Sequence, residues 1–125
     1  MMQQMGKIAW VDLTVSNTEA VRDFYQQVVG WQPQPVDVGD YQDYNMLAPD
    51  EQPTAGICHK QGVNASIPSQ WMIYIVVADL DQSLAACEAH GGKILVRDKG
   101  EAGHHYAIIQ DPGGAVCALY EQSEA

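Results

Sequence analysis

The chain repeats its own plan once. At an offset of 62 positions, Val15 falls on Val77, Asn17 on Asp79 and Gly30 on Gly92. A strand, a capped helix, a glycine stop and three short strands therefore occur twice in order. A repeat of this kind constrains a fold more than any single motif, because each copy must be one supersecondary unit. A unit of this size covers one face of its small sheet with its own helix and leaves the other for a partner. The expected class is α+β, built as two βαβββ modules over about 1–62 and 67–125.

The local signals support that division. Segment 8–15 alternates, with Val11, Leu13 and Val15 on one face and Trp10, Asp12 and Thr14 on the other. Asn17 reads as an N-cap, and Glu19 lies in the first turn, where a negative charge suits the helix dipole. Val21, Phe24, Tyr25 and Val28 follow at i, i+3, i+4 and i+7, the spacing of one apolar helical stripe. This predicts a helix near 18–29 closed by Gly30. Strands are expected at 31–38, 42–48 and 54–60, the first at an edge because of Pro33 and Pro35. Segment 61–70 reads as the linker. A β-forming run at 71–77 starts the second copy. A helix near 80–91 follows, capped by Asp79 and lined by Leu80, Leu84 and Cys87. Strands are then expected at 92–98, 104–110 and 115–121, with Asp111-Pro112-Gly113-Gly114 as a tight turn.

Composition excludes several classes of function. Sixteen acids face six bases among 125 residues, a formal charge of −10. Such a surface repels phosphate backbones and anionic lipid, so neither nucleic acid nor membrane is an expected partner. No apolar run approaches the length of a membrane span, and the first residues lack the apolar core of a secretion signal. A cytoplasmic location is expected. Cys58, Cys87 and Cys117 are odd in number and widely spaced, which argues against a disulfide framework.

The order of these motifs resembles the vicinal oxygen chelate (glyoxalase/bleomycin-resistance/dioxygenase) superfamily. Asp12-Leu13-Thr14-Val15-Ser16-Asn17, Phe24-Tyr25 and Gly30-Trp31 are similar to its first module. Val76-Val77-Ala78-Asp79-Leu80, Gly91-Gly92-Lys93 and Asp111-Pro112-Gly113-Gly114-Ala115-Val116 are similar to its second. The finer resemblance, through Trp10-Val11-Asp12-Leu13 and Ala55-Gly56-Ile57 as well, is to a subgroup related to lactoylglutathione lyase. The resemblance implies a cupped, mostly antiparallel sheet with the helices outside. It also implies a small-molecule cleft and a homodimer. It does not carry lyase activity with it, because function lives in the site.

Metal-dependent members of that family bind a divalent ion with His or Glu from four strands. The corresponding positions here are Trp10, Cys58, Met72 and Ala118. Trp and Ala cannot coordinate, Met is a soft neutral ligand, and Cys58 alone could bind as a thiolate. No metal and no other cofactor is therefore expected.

Strand alternation places Trp10, Asp12, Met72, Tyr74, Ala118 and Tyr120 on the faces away from the helices, as lining for a hydrophobic or aromatic ligand. Asp12 among apolar neighbours serves ligand contact, acid–base chemistry or a structural hydrogen bond. His104 and His105 point to opposite faces, so one of them, with His105 as the candidate, can enter a site. Cys58 is a nucleophile only if a neighbour lowers its pKa. His59 belongs to the helix side or solvent, His90 to the end of the second helix, and Cys87 and Cys117 to the core. The leading reading is a small-molecule binder without a catalytic metal. The alternative is a lyase or isomerase using Asp12, a histidine or Cys58.

Overall fold

The computed structural model describes residues 5–62, 65–98 and 105–121. These form eight strands and two helices in the order β1 (Ile8–Val15), α1 (Thr18–Val29), β2 (Gln32–Asp37), β3 (Gln42–Leu47), β4 (Pro53–His59), β5 (Trp71–Val77), α2 (Leu80–Ala89), β6 (Lys93–Asp98), β7 (His105–Gln110) and β8 (Val116–Glu121). The βαβββ plan thus occurs twice, as the repeat requires. Two compact units result, one of Trp10–Trp71 and one of Met72–Ala125 joined by the chain's start up to Ala9. The start belongs there because the Gly6 N–H donates to Val76 O and the Val76 N–H to Lys7 O, at 2.7 and 2.9 Å.

In the Trp10–Trp71 unit the strand order is β2-β3-β4-β1, with β1 and β4 parallel and the other pairs antiparallel. β2 lies at the edge, where its two prolines withhold no ladder donor that a neighbour needs. Opposite residues of paired strands share a face. Leu13 pairs with Ile57, and Ile57 with Tyr44. These three pack with Val15 and Met46 into one core, against Val21, Tyr25, Trp31 and Trp71. Burying side chains such as Ile57 and Met46 stabilises the unit by about 1.5–3 kcal/mol each.

The expected stripe on α1 is corrected. Val21 and Tyr25 do face the sheet, but Phe24 and Val28 are 55% and 63% exposed. The helix is turned so that Thr18, Val21, Arg22 and Tyr25 form the inner line. Two polar residues can lie there because partners await them. Thr18 Oγ1 donates to Val15 O at 3.0 Å. Arg22 Nη1 donates to Tyr44 Oη at 3.0 Å, with its guanidinium over the Tyr44 ring. Asn17 is corrected too: its side chain makes no capping hydrogen bond, and its backbone (φ −103°, ψ 59°) is not extended as a capping residue's usually is. Gly30 ends the helix at φ 87°, its N–H donating to Gln26 O.

In the other unit the order is β5-β8-β7-β6, with β5 and β8 parallel. Leu80 and Leu84 of α2 pack on Ala107 and Leu119, against Ile75, Val77, Ile94 and Ile109. Asp79 caps α2 as the sequence predicts, its carboxylate accepting the Gln82 N–H at 3.0 Å. Glu121 adds a second acceptor at the same end, 2.7 Å from Leu80 N. The helix stops at Ala89, with His90 as C-cap residue.

Candidate functional site

On the helix-free face of the Trp10–Trp71 unit, the side chains of Trp10 and Asp12 meet. Trp10 Nε1 donates to Asp12 Oδ1 at 2.5 Å. Both residues are half-buried. They can meet because Asp12 pairs with Gly56 on β4. A Cβ at position 56 would clash with Asp12 Oδ1 and would stand 3.4 Å from Trp10 Nε1. The glycine is thus the floor under the carboxylate.

Cys58 follows two residues later on the same strand and face, half-buried. Burial pushes its thiol up, and the charges of Asp12 and Asp43 and a hydrogen bond to the Asp43 carboxylate push the same way. Each of these disfavours the thiolate. As a candidate nucleophile Cys58 is therefore placed in surroundings of the wrong sign, since reactive cysteines have cations or helix N-termini as neighbours. His59 points the other way, its Nε2 3.3 Å from Glu19 Oε2 of α1.

The second unit presents a tyrosine face. Tyr74 pairs with Ala118, Ala118 with Ile108, and Tyr106 with Tyr120. The rings of Tyr74 and Tyr106 are 6.3 Å apart. Met72 and Ala118 are 2% and 0% exposed, so the half-buried tyrosines are what a ligand can touch there. His105 pairs with Glu121, whose carboxylate holds the start of α2. It therefore lies on the helix-bearing face, apart from Tyr74 and Tyr120. His104 lies outside the described residues. Cys117 pairs with Ile109 and Cys87 lies on α2; both are half-buried, on the helix-bearing side.

Three residues of these faces escaped the reading of the sequence. Tyr106 could have been found by counting back from the Asp111–Gly114 turn, which sets it opposite Tyr120. Gly56 carried no signal beyond its place in a motif. Asp43 sits in an unremarkable polar stretch.

The sequence profile of the Glyoxalase/Bleomycin resistance protein/Dioxygenase superfamily matches residues 7–119. The chain belongs to this superfamily. Curated relatives in Mycobacterium tuberculosis and Mycobacterium bovis, each named "Putative glyoxylase CFP32", are 25% identical over 121 residues. That stretch is 95% of this chain and 45% of theirs, so the chain spans about half the length of the curated relatives it matches. Among solved structures, a variant of Streptomyces coelicolor methylmalonyl-CoA epimerase in complex with 2-nitronate-propionyl-CoA aligns with a TM-score of 0.60 at 14% identity, over 96% of this chain and 99% of that one. The Mycobacterium tuberculosis methylmalonyl-CoA epimerase gives 0.55 at 18%, over 91% and 86%. At these identities the likeness shows the fold.

The superfamily's metal positions can be tested against these side chains. The Trp10 indole is a donor and is already committed to Asp12. Ala118 has no donor atom, and Met72 offers only a thioether. Cys58 is held in its protonated form. No group of three His, Cys, Asp or Glu able to hold a metal ion occurs among the described residues. These residues do not fit a hard divalent ion in an open geometry.

Proposed function

We propose that this chain is a small-molecule-binding protein of the glyoxalase/bleomycin-resistance type that works without the superfamily's metal. Its ligand is hydrophobic or aromatic, with a hydrogen-bonding group for Asp12. The observation that carries this reading is the Trp10–Asp12 pair set over Gly56: an aromatic surface and a fixed carboxylate on a face that no helix of its unit covers. Pockets of this composition bind by apolar area and orient by a few placed polar groups. The epimerase of the same fold that is held with a CoA ester supports a small molecule as ligand.

A homodimer is part of the reading. The curated relatives carry about as much chain again as this one, and a second copy would supply the equivalent. The reading also keeps this strongly acidic protein away from nucleic acids and places it in the cytoplasm. No helix of the described residues is long and apolar enough to cross a membrane.

A fragment library screened by thermal shift identifies ligands, since anything that binds only the folded state raises its melting temperature. Hits are then titrated into the wild type, with and without EDTA, and into Asp12→Ala. Affinity should fall at least tenfold in the variant and be unaffected by EDTA. A carboxylate with a structural role only would give the reverse: intact affinity and a stability loss of about 1–3 kcal/mol from the stranded indole N–H. The second reading, a lyase or isomerase with Asp12 as its base, is favoured by the relatives' glyoxylase name. It requires turnover that Asp12→Asn abolishes while binding survives.

A further inference from the structure

Two residues of the apolar stripe expected on α1, Phe24 and Val28, are turned to solvent. Both are more than half exposed, and so is Val29. Ala20, one turn before Phe24, is exposed as well. Ala20, Phe24 and Val28 are spaced four apart and so lie one above the other on the helix surface. The Phe24 ring is held from behind. It meets the Tyr25 ring edge-on, with centroids 5.0 Å apart. Tyr25 is fixed in turn by the Trp71 Nε1–H, which donates to Tyr25 Oη at 3.1 Å, and by the Trp31 ring. No residue from Phe24 to Val36 is charged, in a chain of formal charge −10. Supported aromatic side chains and depletion of charge mark the centre of a protein interface.

We propose that this outer stripe of α1 is where a second copy of the chain docks, in an antiparallel helix pair that sets Phe24 against Val28 of the partner subunit. The inference rests on the homodimer reading and gives it a place. Charge selects the occupant. A protein this acidic repels its own copies over most of its surface, and a neutral strip is where two of them can touch. A cationic partner would be drawn to the acids instead. Charge also selects the orientation. The charged residues of α1, Glu19, Arg22 and Asp23, all lie in its first half. A two-fold axis lays that half against the uncharged half of the other helix, whereas a parallel pair would set Asp23 on Asp23 of the partner subunit. The end strands offer a second copy less. On β2, Pro33 and Pro35 lack the N–H groups that an added strand needs. On β6 the ladder shifts between Ile94 and Val96, and Lys93 and Arg97 stand on either side. Docking through α1 leaves the Trp10–Asp12 face, across the sheet of the same unit, uncovered.

The test measures mass by light scattering behind size exclusion, for the wild type and two variants at exposed positions. Phe24→Asp and Val28→Lys each press a charge against an apolar side chain of the other copy. Each alone should run at 13.7 kDa, half the mass of the wild type. Mixed in equal amounts they should regain the dimer. One contact of the pair then joins the introduced carboxylate to the introduced ammonium, and the other remains Phe24 on Val28. Single variants that stay dimeric, or a mixture that stays monomeric, overturn the proposal. Circular dichroism checks that the variants fold. Should one fail, a double variant, Phe24→Gln with Val28→Gln, decides, and a dimer there overturns the proposal equally. A wild type of 13.7 kDa overturns it together with the homodimer reading and leaves the stripe to a different protein. A dimeric wild type with dimeric variants overturns this surface alone. Neither outcome touches the Asp12 binding test.

Discussion

At the scale of single residues, the Trp10–Asp12 pair depends on a side chain that is missing. Gly56 has no Cβ, and the Asp12 carboxylate occupies the room this leaves. Replacing Gly56 by Ala forces the carboxylate aside and breaks its bond to the Trp10 indole. Overpacking of this kind costs about 1–3 kcal/mol. We predict a lower urea midpoint for Gly56→Ala, together with a changed amide-type resonance for the Trp10 Nε1–H in the NMR spectrum. An unmoved indole resonance would mean that the carboxylate keeps its place without the glycine. Trp10 and Asp12 were legible in the sequence because alternation along a strand fixes faces without reference to anything else. Gly56, Asp43 and Tyr106 were not read there. Each owes its importance to the register of a neighbouring strand, and register is a property of pairs.

At the scale of elements, the two helices start differently although they are equivalent in the repeat. Asp79 accepts a backbone N–H of α2, and Glu121 accepts another. Asn17 accepts none from α1. Asp79→Ala should therefore cost about 1 kcal/mol, the usual value of a side-chain cap. Asn17→Ala should cost less than half of that. Urea unfolding with unchanged slopes checks both; equal losses would contradict the difference. The apolar periodicity of α1 located the helix and its length. It misjudged the rotation, because Thr18 and Arg22 read as surface residues until Val15 O and the Tyr44 ring and hydroxyl are in view. For α2, where Leu80 and Leu84 have no polar competitors on the inner line, the same method was sufficient.

At the scale of the molecule, the repeat made the α+β plan and the order of its elements legible, and the local signals set their ends to within one or two residues. The family follows from the order of its motifs and is shown by the match over residues 7–119. The proposed homodimer predicts a particle of twice 13.7 kDa by light scattering at tens of micromolar. Its melting temperature should rise with protein concentration, as it does for any assembly that favours the folded state. A 13.7 kDa particle with a concentration-independent melting temperature would rule it out. Gly6 and Lys7 bond to Val76, so the chain's opening stretch is stitched into the unit formed by its closing half. The boundary in space and the boundary along the chain do not coincide. A cut in the 61–70 linker would produce two fragments, and the first would carry away a strand end that the second needs. Such fragments are built to seek each other out, which makes this linker a natural place to divide the chain for a split-protein sensor.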